Sequence, residues 1–237
     1  MKNIVNTLIF LLLALISNQL HAQNFTILFV DNFETGGPNS VFGTNNNGGT
    51  GSNMWSINDQ FDGLGLYPNT PSQTFTLGGI GQVGSPDGMY MHILDGSSVA
   101  VNSNYNPTVA SERWALMNGG YCTLGYSKVV FNFWWHADGS PADMGEVYYS
   151  IDGGGSWILA TNTDGLASYG NASSWSFSSI EDPIFLEQPD LRFGFKWKND
   201  GTNTNDIHPF SVDDVMLIAY YDDPPTWLKK NEEKINL

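Results

Sequence analysis

The chain has 237 residues, with 9 Lys and Arg against 24 Asp and Glu, a formal charge of −15 and only 14% charged residues. That balance excludes DNA, RNA and anionic membrane surfaces as partners, because a net-negative protein is repelled by them; it fits cation binding, or solubility outside the cell. The one cysteine, Cys122, excludes an internal disulfide, so the fold must hold by packing, with Cys122 expected inside a strand as a small buried hydrophobe.

The first segment reads as an export signal. Lys2 gives a positive start, 8–16 is an unbroken apolar run, 17–21 is polar, and Ala22 precedes Gln23. That order matches a secretory signal peptide cut near Ala22, and its apolar run is far shorter than the roughly 20 residues of a membrane span. The competing reading, a buried N-terminal helix, finds no helical partner downstream. The expected organisation is a signal peptide over 1–22, one domain over 23–222 and a polar tail over 223–237.

No later segment keeps a helical period. Short apolar runs with alternation predict strands over 25–30, 54–57, 75–77, 89–94, 98–101, 113–117, 128–136, 146–151, 156–160, 174–177, 191–198 and 210–220. The connections are rich in Gly, Asn, Pro and Asp, as turns require. Two stretches, 43–53 and 199–208, read as long polar surface loops. A dozen short strands exceed what one open sheet usually holds. The expected fold is therefore all-β, a two-sheet antiparallel jelly-roll sandwich.

The sharpest local motif is Ser150-Ile151-Asp152-Gly153-Gly154-Gly155-Ser156-Trp157, which fits the Asp-box pattern S-x-D-x-G-x-x-W. The Asp152 carboxylate can accept backbone N–H groups across the turn, the glycines take positive φ, and Trp157 covers the turn. The structural set is Ser150, Asp152, Gly154 and Trp157. Sialidases repeat such boxes and clamp a carboxylate with three arginines. Arg113 and Arg192 are the only arginines here, so that clamp cannot be built.

The stretch 129–157 resembles the centre of MAM-type and reelin-subrepeat jelly rolls. Asp31-Asn32-Phe33-Glu34 resembles their opening strand, and Leu191-Arg192-Phe193 followed by Ser211-Val212-Asp213-Asp214-Val215 resembles their closing pair. The resemblance runs from about Asp31 to Tyr220 and implies a concanavalin A/MAM-like sandwich. It departs from MAM domains in lacking their cysteines. It also implies a structural Ca2+ site at Asp31, Glu34, Asp213 and Asp214. Calcium takes six to eight oxygens, so several carboxylates and carbonyls must converge. In a regular strand only one of Asp213 and Asp214 could face inward, unless a bulge turns both. At the other end, Glu233-Lys234-Ile235-Asn236-Leu237 resembles the lead-in to the sorting domain of Bacteroidetes type IX secretion cargo.

Aromatic residues supply a second site candidate. Phe133 and Trp135 share one face of a strand, Trp134 and His136 the other, so Trp134 and Trp135 are candidates for stacking on a sugar, with core packing as the competing reading. Trp55, Trp114, Trp175 and Trp197 carry no assignment from sequence. Zinc and nucleophile-elbow motifs do not occur, and Gly79-Ile80-Gly81-Gln82-Val83-Gly84 runs into Ser85-Pro86 rather than a helix, so it is no dinucleotide fingerprint. The expected function is a non-catalytic secreted or cell-surface binding module for a glycan or extracellular protein. The alternatives are a carbohydrate-active hydrolase using an Asp/Glu pair, or a passive spacer.

Overall fold

The computed structural model describes residues 24–37, 40–58, 76–77, 80–81, 89–96, 105–137, 142–202 and 209–222. The segment expected to be a signal peptide, the strand expected over 98–101, most of the 199–208 stretch and the tail lie outside the described residues. The described chain forms β1 (Asn24–Asp31), β2 (Phe42–Thr50), β3 (Asn53–Asn58), β4 (Thr76–Leu77), β5 (Ile80–Gly81), β6 (Tyr90–Asp95) and β7 (Ser111–Met117). These are followed by β8 (Lys128–Ala137), β9 (Met144–Ser150), β10 (Ile158–Leu159), β11 (Ala172–Glu181), β12 (Arg192–Asn199) and β13 (Ser211–Tyr221). A 3-10 turn at Pro183–Phe185 follows β11, and no described helix is long and apolar enough to cross a membrane.

Two antiparallel sheets carry the fold. One runs β11-β8-β13-β6-β3, with β1 joining β13 beyond the point where β6 leaves it; the other runs β10-β9-β12-β7-β2. The all-β, two-sheet antiparallel sandwich is as the sequence predicts.

Alternation sets the faces. In β8, Phe131, Phe133 and Trp135 point into the core, and in β12, Phe193, Phe195 and Trp197 meet them from the other sheet. Phe131 and Phe193 stack face to face, centroids 4.0 Å apart and planes 3° off parallel. Gly145 is required by its neighbour, because a Cβ there would sit 2.2 Å from the Phe210 ring. A smaller apolar cluster, Val130, Met216, Ile218 and Tyr220 with Phe25 against it, lies on the opposite side of β8 and β13.

Two expectations are corrected. Residues 43–50, read as loop, belong to β2, which pairs β7 with register shifts between Gly43 and Asn47 and between Asn47 and Thr50. Asn and Gly have poor strand propensity, but an edge strand needs only a neighbour's ladder, and the irregular register absorbs the glycines. Cys122 is exposed, just beyond the Tyr121–Leu191 bridge, because no continuous strand carries it inward.

Candidate functional site

Of the acids named from the resemblance, Asp31 ends β1 and pairs with Val215 of β13, which follows Asp213 and Asp214 in the chain. Asp31 is engaged by three donors. Its Oδ1 accepts the Phe33 N–H at 3.1 Å, and its Oδ2 accepts the Ser40 hydroxyl at 2.7 Å and the Val41 N–H at 2.8 Å. It thereby braces the turn between β1 and β2. A bulge between Asp213 and Met216, with Asp214 at φ 47°, buries both Asp213 and Asp214. Asp213 Oδ1 accepts the Asp214 N–H at 2.7 Å. Glu34 lies in the turn after β1, its carboxyl raised above the usual range by partial burial and held back by a hydrogen bond from the Met89 backbone. Among the described residues no three His, Cys, Asp or Glu side chains gather as metal ligands.

The two tryptophans of β8 part company. Trp135 is buried, its indole Nε1 donating to Ser178 Oγ at 3.0 Å and its ring set edge-on to Tyr169. It is a core residue and cannot stack on a ligand, because β8 is a central strand and this face meets the opposite sheet. Trp134 points outward and is half-buried against Phe177, centroids 5.6 Å apart. On the same outer face, His92 and His136 flank Ser211 from β6 and β8, all three buried.

The Ser150–Trp157 turn closes as its residue types dictate. Ser150 Oγ donates to Asp152 Oδ1 at 2.7 Å and accepts the Gly154 N–H at 2.9 Å; Asp152 Oδ1 also accepts the Ser156 N–H at 2.8 Å. The Ser156 hydroxyl donates to Asp152 Oδ2 at 2.6 Å. These bonds, the Ser156 side chain first, hold the Asp152 carboxyl well below its usual range. Gly153 and Gly154 take φ of 72° and 92°. The Trp157 ring lies by Gly154 and reaches on to Gly194 in β12.

That reach leads to the feature sequence reasoning missed, the outer face of the five-stranded sheet. Register places Lys196 between Trp114 on β7 and Glu146 on β9, and Gly194 between Leu116 and Tyr148. Leu116 and Trp157 lean over Gly194, where a Cβ would meet the Leu116 side chain at 2.6 Å. The Trp114 and Tyr148 rings lie 4.7 Å apart at 57°, and the Lys196 ammonium stands 4.9 Å and 5.8 Å from their centres. Lys196 Nζ is 2.8 Å from Glu112, and Lys198 Nζ is 2.6 Å from Glu146. Tyr148 donates its hydroxyl to Glu146 Oε2 at 2.8 Å; burial first, then this bond, pushes its phenol well above the usual range. Trp114, Leu116, Tyr148 and Trp157 are all half-buried, so this aromatic and ionic surface stays partly open to solvent. The signal was present as alternation: Glu-x-Trp, Glu-x-Tyr and Lys-x-Lys lie on three strands. Only the strand order places them side by side.

No protein-family model and no curated protein matches the chain. Among solved structures it is similar to the K1 cleaved adhesin domain of Lys-gingipain from Porphyromonas gingivalis W83. That match has 14% identity and a TM-score of 0.37, covering 82% of this chain and 97% of that one. It is also similar to the CBM22-1 xylan-binding domain from Paenibacillus barcinonensis, at 7% identity and TM-score 0.37, covering 85% of this chain and 99% of that one. A tandem CBM22-1-CBM22-2 domain from the same organism gives 18% identity and TM-score 0.40, with 83% of this chain and 50% of that chain covered.

Proposed function

We propose that this chain is a non-catalytic binding module, exported from the cell, whose ligand platform is the outer face of the five-stranded sheet. The observation that carries the reading is the Trp114–Lys196–Tyr148 cluster on strands braced by a tightly packed core. Aromatic rings with polar groups at their edges offer apolar area and directional bonds together, as recognition surfaces do. The ligand is a glycan or an extracellular protein. The ordered motifs along the chain support a MAM-like or reelin-like relative that lacks the disulfides.

A hydrolase would need one carboxyl to donate a proton and a second carboxylate to attack or to activate water. Glu112 and Glu146 are the carboxylates nearest these rings, and each is tied to a lysine ammonium. That favours binding over cleavage. Structural calcium at Asp31, Glu34, Asp213 and Asp214, as the resemblance implies, is part of the same proposal.

The test is a glycan and extracellular-protein array read with wild type and Trp114→Ala, with folding checked by circular dichroism. Wild-type binding that Trp114→Ala abolishes while the fold persists supports the reading. Equal binding by both proteins rejects this face as the platform, and shortening of a bound glycan on incubation rejects the non-catalytic assignment.

A further inference from the structure

The charged groups on this face cancel one another. Lys196 pairs with Glu112 at 2.8 Å and lies 4.0 Å from Glu146, which is held by Lys198 at 2.6 Å. Two lysines and two glutamates therefore occupy adjacent positions on β7, β12 and β9 with no net charge among them. Farther along β12, Arg192 is likewise cancelled by Asp190 at 2.8 Å.

Cancelled charge still leaves hydrogen-bonding capacity. An ammonium has three N–H donors and a carboxylate about four acceptor sites. The Glu112 side chain is 46% exposed and that of Lys198 41%, so their unused donors and acceptors face solvent beside the Trp114 ring. A sugar hydroxyl donates and accepts at once, and can join such a row without breaking an ion pair. A carboxylate or sulfate can only accept. It could use the lysine donors alone, beside the Glu112 and Glu146 carboxylates that repel it, and would approach a chain of formal charge −15.

We infer that this face selects uncharged, polyhydroxylated chains over acidic ones, and that Glu112 enforces the selection by occupying Lys196. The inference rests on the platform reading above and names its ligand class. Trp114 and Tyr148 supply the apolar surface for a pyranose ring, and the Glu112–Lys196–Glu146–Lys198 row meets its hydroxyls. Glu112 is the informative residue because it lies at the solvent edge, so removing its charge exposes Lys196 without hollowing the core.

The experiment measures calorimetric binding of a β-1,4-linked glucose oligomer and of a galacturonate oligomer of equal length. Wild type, Glu112→Gln and Trp114→Ala are compared at about 0.05 M and about 0.5 M salt, across which the screening length shrinks several-fold. Melting curves confirm that each variant is folded. Wild type is expected to bind the glucose oligomer with little salt dependence and the galacturonate at least about tenfold more weakly, a difference of about 1.4 kcal/mol. Glu112→Gln is expected to gain galacturonate binding that high salt removes, and Trp114→Ala to lose both. Wild-type preference for galacturonate, or a Glu112→Gln variant with unchanged preference, overturns the selection while leaving the platform standing. Binding of either oligomer that survives Trp114→Ala unchanged overturns the platform itself, and so does the absence of any binding to wild type.

Discussion

Lys196 holds its ammonium 4.9 Å from the centre of the Trp114 ring, on the open side of a sheet whose other side is core. Its stem is buried and its head is tied to Glu112, so it packs and pairs at once. Lys196→Met keeps the stem over Trp114 and removes the charge. The expected outcome is a loss of no more than about 1 kcal/mol, because Glu112 is half-exposed and water screens the pair. Urea melts of the two proteins check this; a loss of several kcal/mol would show that the pair is load-carrying for the fold rather than for the surface.

The stacked Phe131 and Phe193 rings join the two sheets at the centre of the core. Phe193→Ala removes one ring from a fully buried site. A loss of about 3–5 kcal/mol is expected, since the rigid strands on either side limit collapse of the cavity. Chemical denaturation of the variant gives the number, and a loss below about 1 kcal/mol would place the joint between the sheets elsewhere.

His92 makes stability depend on pH. It is fully buried, its Nδ1 lies 3.1 Å from the Ile93 carbonyl and its Nε2 2.8 Å from Asn58 Oδ1; burial lowers its pKa from 6.5 to about 4, with the Ile93 bond opposing. The folded state therefore favours neutral imidazole. Above pH 6.5 neither state takes up the proton and the contribution is complete. Between 6.5 and about 4 only the unfolded chain protonates, and stability falls by about 3 kcal/mol. Melting temperature should drop through that window in wild type and drop less in His92→Gln. Parallel pH curves for the two proteins would assign the slope to other groups.

Calcium is expected to raise the melting temperature and a chelator to lower it, through the acids Asp31, Glu34, Asp213 and Asp214. Glu34→Gln should remove the response, whereas a residue outside that set, such as Glu181, should not. Identical melts with calcium and with chelator would eliminate the proposed site.

Asp152 serves the turn between β9 and β10, accepting from Ser150 and Ser156. Its carboxyl is held low, so its contribution is full at neutral pH and is lost only as pH falls through the acidic range. Asp152→Ala is expected to lower the melting temperature at pH 7 while ligand binding persists. Loss of binding with an unchanged melt would move Asp152 from a turn-bracing role into the recognition surface.

The sequence by itself determined the strands, their two faces and the all-β sandwich, because period-two alternation and turn residues are local properties. It also marked the Ser150–Trp157 turn, whose hydrogen bonds close within seven residues. It read β2 as a loop, because Asn and Gly speak against a strand until β7 supplies a ladder. It named Trp134 and Trp135 together, although one lies outside and the other inside, since alternation separates neighbours without saying which face is the core. Tertiary structure alone decided the candidate platform. Trp114, Tyr148 and Lys196 come from three strands, and they meet because the chain order β7, β9, β12 becomes the spatial order β9, β12, β7. Strand neighbours are set by long-range pairing and burial across the whole sandwich, which no local pattern encodes.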